Sequence, residues 1–417
     1  MSACGLDFGT SNTTFGSTID NVPSLVPLEG GETTIPSAIF YERDGAVLIG
    51  RKAIEAYIDG VPGRLMRSLK SVLGTSLIDE TTQVGRIRSS FRDVIAYYLG
   101  AVKRRAEQAA GRAFRNVVHG RPVHFVDNAP DADRRAEATL QTIVREIGFA
   151  NVAFQFEPIA AALDYERQII REEIALIADI GGGTSDFSIV RLSPDRHHKA
   201  ERQGDILAND GVRIGGTDFD RRLSLGVLMP LLGYGSAMQR AGLDAPLRYF
   251  HDLATWSNIN RMYEQRVMSE IRGVRRESRE PKLLGRLLRV LEEQRGHTLA
   301  MDIENAKIAL SGKNRSDIPL SWIEPGLEVA IGRDDLVSHT KELAANIGAR
   351  IGICLRQARL DPDDIHAVFL TGGSVQLAHV RRAILQGLPA ARVIEGDTFG
   401  AVGKGLTIEA ARRYGPD

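Results

Sequence analysis

Cysteine is almost missing from this sequence. Only Cys4 and Cys354 occur among its 417 residues, and they lie far apart in the sequence. Two cysteines cannot make the disulfide framework of a small secreted domain, and they are too few for a structural zinc site. We therefore expect a protein of a reducing compartment, the cytoplasm.

An excess of charge of one sign is also missing. The chain has 53 Lys and Arg residues against 53 Asp and Glu residues, so its formal net charge is zero. This balance argues against a protein that binds nucleic acid through a strongly basic surface. With 43% hydrophobic and 25% charged residues, the composition is that of a globular protein and excludes a disordered, collagen-like or coiled-coil chain.

Long apolar runs and the two commonest nucleotide motifs are absent as well. No run approaches the ~20 apolar residues that span a bilayer, and the N-terminal MSACGLDFG lacks the basic and apolar regions of a signal peptide. The sequence has no Gly-x₄-Gly-Lys-Ser/Thr loop and no Gly-x-Gly-x-x-Gly after a strand. We therefore expect a soluble protein without a membrane or nucleic-acid partner, and neither a P-loop nor a dinucleotide-binding fold.

What the sequence does contain is an alternation of strand-like and helix-like segments. It has a long helical pattern from about 86 to 110, a strand at 152–156, a helix at 158–168 and a strand at 174–180. Alternation of this kind predicts an α/β protein, and the length suggests two or three compact units.

An internal echo divides the chain. LDFGTSNTTFG at 6–16 and ADIGGGTSDFS at 178–188 each end an apolar strand with Asp-x-Gly, turn through Gly, Thr or Ser, and leave as another strand. We therefore expect two similar lobes, 1–170 and 171–396, and a last helix within 397–417 that returns towards the first lobe. A third glycine-rich turn, LTGGS at 370–374, follows a strand.

Turns of this kind are suited to phosphate. In a tight turn of glycine and hydroxyl residues, successive backbone N–H groups point at one spot and bind an anion without a basic side chain. Asp7 and Asp179 stand at the strand ends that lead into two of the turns, where their carboxylates could hold Mg²⁺ through its waters. One such turn alone would be interpreted as a structural hairpin, but the pair together with the third turn favours a nucleotide.

At these residues the chain resembles the superfamily of actin, hexokinase and the heat-shock ATPases, and within it the seventy-kilodalton, DnaK-like heat-shock chaperones. Six segments carry the resemblance: GLDFGTSNT, FEPIAAALDYE, ADIGGGTSDFSIV, IGGTDFD, ENAKIALS and FLTGGS. The resemblance implies an actin-like ATPase fold of two lobes, each with a duplicated ribonuclease-H-like core, and a nucleotide in the central cleft. A finer resemblance, in GRPV and GDTFG, is to the short YegD-like members of the family.

The resemblance also assigns roles to single residues. It implies Mg²⁺ near Asp7 and Asp179, and a catalytic set that places and activates water, made of Lys70, Glu157, Thr184 and Asp186. The residues implied to bind ATP or ADP are Gly9, Thr10, Ser11, Asn12, Gly181, Gly182, Gly183, Thr184, Gly215, Gly216, Glu304, Lys307, Ser311, Gly372, Gly373, Ser374, Gln376 and Asp397. Without the resemblance, Lys70 would be interpreted as a surface lysine and Glu157 as a carboxylate at a helix start.

Three further positions are interpreted through the family. Pro122 and Arg134 match its proline switch and its relay arginine. Typical members clamp the adenine between two arginines, whose positions here carry Ile308 and Gln376. We therefore expect the base to be held by burial, with weaker or less selective binding, because the planar cationic stacking is lost.

The sequence thus predicts a chaperone-related protein that binds and slowly hydrolyses MgATP. Because no β-sandwich or lid follows the TIEAARRYGPD segment, we expect a nucleotide-binding domain alone, whose lobe closure is read by an unknown partner or client. Two alternatives stay open. One is a small-molecule, sugar-type kinase of the same superfamily, in which an aspartate activates a substrate hydroxyl, and the other is an actin-like filament former or a nucleotide-sensing adaptor.

Overall fold

The computed structural model describes residues 2–19, 22–84, 87–126, 129–394 and 400–415. Its strands are β1 (Ala3–Phe8), β2 (Asn12–Ile19), β3 (Val22–Leu25), β4 (Thr34–Pro36), β5 (Ala38–Glu42), β6 (Val47–Ile49), β7 (Gly63–Arg67), β8 (Thr81–Val84), β9 (Ile87–Ser90), β10 (Asn116–Arg121), β11 (Asn151–Phe156), β12 (Glu173–Ile180), β13 (Ser185–Leu192), β14 (Ile206–Val212), β15 (Arg315–Pro319), β16 (Glu328–Gly332), β17 (Ala367–Thr371) and β18 (Arg392–Ile394).

The α-helices are α1 (Arg51–Ile58), α2 (Phe91–Ala110), α3 (Pro130–Glu146), α4 (Glu157–Glu166), α5 (Gly216–Leu223), α6 (Arg248–Leu253), α7 (Gln265–Glu277), α8 (Pro281–Glu292), α9 (Gly296–Gly312), α10 (Arg333–Ala358), α11 (Ala378–Leu385) and α12 (Ala401–Tyr414). Short 3₁₀ turns link several of them, and one at Leu69–Val72 carries Lys70.

Two sheets repeat one topology. The first has the strand order β11-β10-β1-β2-β3, with β4 paired to β2, and the second has the order β14-β13-β12-β17-β18. In each sheet an antiparallel meander of three consecutive strands is extended on its first strand by two parallel strands. The internal echo of the sequence is therefore a repeated strand order, and its two Asp-x-Gly turns connect the first two strands of each meander.

The boundaries of the helices have local causes. α2 begins after Ser90, whose side chain accepts a hydrogen bond from the Asp93 N–H while the Asp93 carboxylate accepts one from the Ser90 N–H. It ends at Gly111, which has a φ of 64°. α4 begins at Glu157 and Pro158, since proline is tolerated in the first turn and a carboxylate there favours the helix dipole.

The last helix, α12, packs on the first sheet so closely that its backbone lies against glycines of the strands. Its residues Leu406 and Thr407 lie directly over Gly5 of β1 and Gly16 of β2, where a Cβ would overlap them. Gly405 lies against the Ala160 carbonyl of α4 in the same way. Leu406 and Ala410 pack in one buried cluster with Ala3 and Val118, so the small residues set how closely helix and sheet approach.

The chain forms two compact units. One contains Met1–Arg213, Arg350–Val375 and Leu385–Asp417, and includes both large sheets and α12. The other contains Ile214–Ala349 and Gln376–Ile384, and is helical apart from the β15–β16 hairpin among its described residues. The lobe boundary expected at 170/171 falls between the two large sheets and stays a prediction, and we call the two compact units unit 1 and unit 2.

Both cysteines are buried and free. None of the described helices combines the length and the apolar character needed to cross a bilayer.

Candidate functional site

The first predicted phosphate turn is a tight connection between β1 and β2. The Gly9 N–H donates to the Asn12 carbonyl at 2.9 Å, and a Cβ on Gly9 would overlap that oxygen, so the turn requires glycine there. Asp7 is paired with Thr14 across the hairpin. In the described part of the chain, no hydrogen bond uses the N–H groups of Thr10 and Ser11, which are therefore available to an anion.

The second turn has the same geometry and lies against the first. The Gly181 N–H donates to the Thr184 carbonyl at 2.9 Å, and the Thr184 hydroxyl donates to the Asp186 carboxylate at 2.9 Å. A Cβ on Gly182 would overlap the Ser11 hydroxyl, whereas one on Gly183 would meet nothing within 4 Å. The structure thus brings the two predicted turns into contact within unit 1.

The third turn joins them from the neighbouring strand. Thr371, at the end of β17, is paired with Asp179 of β12. Gly372 has a φ of 81°, and a Cβ there would overlap the Ile180 carbonyl, so only glycine fits. The Ser374 hydroxyl donates to the Gly181 carbonyl at 3.5 Å. Gly372, Gly373 and Ser374 therefore border the second turn, and the nucleotide contacts that the resemblance implies for them stay a prediction.

Lys70 and Glu157 form a partly buried ion pair beside these turns. The Lys70 ammonium contacts the Glu157 carboxylate at 2.5 Å, and the two side chains are 10% and 18% exposed. Burial alone would lower the pKa of Lys70, but the carboxylates of Glu157 and Asp7 outweigh it and raise the pKa above its usual value. Lys70 is therefore a fixed positive charge of the site and not the surface lysine that its sequence context suggests.

The carboxylates outnumber the positive charges. Burial, followed by the negative charge of Glu157, raises the pKa of Asp7 to about 7, and the same two causes raise the pKa of Asp179. The Asp186 residue is exposed at the surface, although protein surrounds most of its carboxylate. Desolvation is the larger cause that raises the pKa of Asp186 to about 7, and the negative charge of Asp179 is the second. Close carboxylates that resist ionisation in this way fit a divalent cation, which would relieve their repulsion.

The way a cation would be held follows from the donor set. The described residues contain no group of three or more His, Cys, Asp or Glu side chains that could bind a metal directly. Asp7 and Asp179 would offer oxygen donors to an ion that keeps most of its waters, as Mg²⁺ does. The residues present fit the expected Mg²⁺.

The residues predicted to contact the nucleoside are divided between the two units. Gly215, Gly216, Glu304, Lys307 and Ser311 lie in unit 2, Gly373 and Ser374 lie in unit 1, and Asp397 is outside the described residues. Gly215 and Gly216 stand at the start of α5, and Glu304, Lys307 and Ser311 follow one another along α9. The Lys307 ammonium is buried and contacts the Asp220 carboxylate at 2.8 Å and the Gly216 carbonyl at 3.2 Å.

Lys307 therefore ties α9 to the start of α5 through the Gly216 carbonyl. The contact between Lys307 and the nucleoside stays a prediction. Sequence reasoning missed its partner Asp220, although this carboxylate ends the IGGTDFD motif. Ile308 is 58% exposed, which is unusual for an isoleucine and leaves its side chain free to meet a ligand. Gln376 also belongs to unit 2.

The expected relay arginine is placed at the surface. Arg134 pairs with Asp131, and the two side chains are 72% and 79% exposed. Arg121, which the sequence did not single out, instead donates to the Pro122 carbonyl at 3.1 Å and to Asp133 at 2.9 Å, and its guanidinium lies 5.0 Å from the ring centre of Phe156. The role expected for Arg134 stays a prediction, while Arg121 is the arginine that contacts Pro122.

The two neighbouring glycines of the second turn give a matched test of the cradle. Gly182→Ala is expected to weaken ADP binding about tenfold, because the added methyl group displaces Ser11 or separates the turns. Gly183→Ala adds the same methyl group in open space and is expected to change the affinity less than twofold. Titration calorimetry measures both, and equal affinities for the two variants would contradict the contact between the turns.

Comparison with known proteins adds a family. The sequence model described as Hsp70 protein matches residues 3–227 and 291–412. The chain is 26% identical over 399 residues to the chaperone protein HscA homolog of Laribacter hongkongensis, covering 92% of this chain and 54% of the relative. It is 26% identical over 419 residues to the chaperone protein DnaK of Thermotoga petrophila, covering 98% and 59%. It is also 24% identical to the chaperone protein HscA homolog of Aromatoleum aromaticum, of whose length the alignment covers 57%. The chain therefore spans little more than half the length of these three relatives.

Proposed function

This chain belongs to the Hsp70 family, which has the actin-like ATPase fold, and we propose that it binds ATP with Mg²⁺ and hydrolyses it slowly. The observation that carries the proposal is the contact between two glycine turns beside a lysine and an excess of carboxylates. Backbone N–H groups of the turns would bind the phosphates, and Asp7 and Asp179 would hold the ion through water. The Mg²⁺ would neutralise phosphate charge during transfer.

The chain's own residues would do the rest by position. Lys70 is fixed by Glu157, and Asp186 is fixed by the Thr184 hydroxyl, so each can orient a water molecule without first rearranging. Catalysis of this kind relies on preorganised charge and placement rather than on a covalent intermediate. Slow turnover fits an ATPase whose output is a change of conformation.

The partner side of the proposal rests on the relatives' names. HscA and DnaK are named chaperones, and the matched segment carries the phosphate turns. We propose that lobe closure on ATP is read by a protein partner or client, and that the chain works in the cytoplasm, where its two buried free cysteines stay reduced.

Nucleotide binding is tested by the melting temperature. A ligand that binds only the folded protein stabilises it by RT ln(1 + [L]/Kd), about 2.7 kcal/mol at a hundredfold excess over Kd. We expect MgATP and MgADP to raise the melting temperature, and phosphate to be released from ATP in the absence of any sugar. A melting curve unmoved by millimolar nucleotide would overturn the proposal, and phosphate transfer to an added sugar without free phosphate would favour a kinase.

The adenine side gives a second prediction. Stacking on an arginine is worth about 0.5–2 kcal/mol, so Ile308→Arg combined with Gln376→Arg is expected to tighten ATP binding about tenfold and to widen the preference for ATP over GTP. Ile170→Arg is the control for added charge, since Ile170 is 94% exposed. Titration of both nucleotides measures the change. An unchanged or weaker Kd in a folded double variant would place the adenine away from these two positions.

A further inference from the structure

The first phosphate turn is held from behind by a buried serine that no motif singles out. Ser37 follows β4 and is 2% exposed. Its hydroxyl donates to the Gly9 carbonyl at 2.7 Å, and its backbone N–H donates to the Ser11 carbonyl at 2.8 Å. One residue therefore binds two of the carbonyl oxygens of a turn that is only four residues long.

The direction of the Ser37 hydroxyl is fixed by two more buried hydroxyls. The Thr13 hydroxyl lies 2.9 Å from that of Ser37, and the Tyr98 hydroxyl donates to Thr13 at 3.0 Å or to the Pro36 carbonyl at 3.1 Å. Because the Ser37 hydroxyl donates its proton to the Gly9 carbonyl, the Thr13 hydroxyl is the donor in its hydrogen bond with Ser37. The Thr13 oxygen can in turn accept a hydrogen bond from the Tyr98 hydroxyl. We call this chain of Tyr98, Thr13 and Ser37 the hydroxyl relay.

Burial keeps the hydroxyl relay intact. Thr13 and Tyr98 are completely buried, and burial raises the pKa of Tyr98 above its usual value, so the phenol keeps its proton. A buried hydroxyl that loses its partner carries a desolvation cost, so each member of the relay stabilises the hydrogen-bonded position of the next.

The relay bears on anion binding through the two carbonyls. A carbonyl oxygen carries partial negative charge and would repel a phosphate if it turned towards it. Ser37 ties the Gly9 and Ser11 carbonyls back to the protein. The Thr10 N–H shares a planar trans peptide unit with the Gly9 carbonyl and points the opposite way, so it stays directed away from Ser37. A turn preorganised in this way loses less conformational freedom when the anion binds.

We propose that Ser37 is a positioning residue for phosphate binding, and that Thr13 and Tyr98 act through it. This inference rests on the proposed function, since it takes the turn at residues 9–12 to be a phosphate cradle. Its specific content is that the relay affects the phosphate part of the nucleotide and leaves the nucleoside part unaffected.

The test compares ADP with adenosine. Competition against a fluorescent ADP analogue measures both affinities, the weaker one at millimolar adenosine. Ser37→Ala is expected to weaken ADP binding about tenfold and to change adenosine binding less than twofold. Ser24→Ala is the matched control, because Ser24 lies on the neighbouring β3 with its hydroxyl donating to the Val22 carbonyl, and it is expected to change neither affinity.

A second variant covers the case in which Ser37→Ala does not fold. Tyr98→Phe removes only the distal donor, and we expect it to weaken ADP binding two- to fourfold, with no further loss when it is combined with Ser37→Ala. Equal losses for ADP and adenosine, or parent-like ADP affinity in the folded variants, would overturn the inference. If the parent protein itself binds no ADP, the proposed function fails instead, so the two failures are distinguishable.

Discussion

Replacement of Lys70 by alanine is expected to lower ATP turnover about 100-fold or more while leaving MgADP affinity within about threefold of the parent. Lys70 is the positive charge that faces Glu157, Asp7 and Asp179 in the site. Without Lys70, the attacking water would not be oriented, and the negative charge that develops in the transition state would not be compensated. The loss of one preorganised group of this kind lowers the rate by a factor of roughly 10²–10³. Single-turnover phosphate release measures the rate separately from binding.

A second lysine gives the control for lost packing. Lys103 contacts Glu107 at 2.6 Å and is 11% exposed, so it forms an ion pair of the same size and burial as Lys70 with Glu157, but on α2. Lys103→Ala is expected to destabilise the fold to a similar extent and to leave the turnover unchanged. If Lys70→Ala hydrolysed ATP at the parent rate, the assignment of Lys70 to the reaction would be wrong.

The largest effect on stability is expected at Gly405. A Cβ there would overlap the carbonyl oxygen of Ala160, and the three atoms nearest to it all belong to the Ala160 backbone, which cannot rotate aside. Inserting a methyl group into such a contact costs typically 1–3 kcal/mol, and more where no side chain can move aside. We expect Gly405→Ala to destabilise the protein by about 3 kcal/mol or more, which is roughly 3–5 °C in melting temperature for a chain of this size.

The matched control for Gly405 is another helical glycine. A Cβ on Gly100 of α2 would lie 3.4 Å from the Arg104 guanidinium and 3.5 Å from Ile147, which are ordinary contacts. Gly100→Ala is expected to stabilise the protein by up to about 1 kcal/mol, because alanine has the higher helix propensity. Thermal melting of the two unliganded variants gives the comparison, and equal shifts would contradict the backbone contact of α12 with α4.

The features of the fold that were predicted well are those with a local signal. The strand predicted at 174–180 corresponds to β12, and the strand predicted at 152–156 corresponds to all of β11 except its first residue. The duplicated Asp-x-Gly turn corresponds to the repeated strand order of the two large sheets. The family and the actin-like fold are confirmed. The helix predicted from about 86 begins only at Phe91, because Ser90 and Asp93 cap it and 87–90 form β9.

The part of the site that could not be predicted depends on contacts between distant segments. Glycine, hydroxyl and aspartate residues in a fixed order point to a phosphate turn wherever they occur, so the turns could be found from spacing. Ser37 and Tyr98 have no such pattern, since each is an ordinary residue of its element and acquires a role only when β2, β4 and α2 pack. Arg121 was missed for the same reason, because Asp133 and Phe156 come into contact with it only in the folded chain.

The cover that α12 gives to the first sheet has a consequence for synthesis of the protein on the ribosome. The face of β1 around Gly5 is covered by Leu406 in the folded protein, and Leu406 is translated about 400 residues after Gly5. At roughly 5–20 residues per second, this interval lasts roughly 20–80 s. Once α4 has also been translated, the nascent chain presents the apolar surface of Ala3, Val118 and Ala160 without its native partner. The first sheet of this Hsp70-family chain is thus covered only after translation of α12, and until then its own polypeptide exposes the kind of surface that chaperones protect.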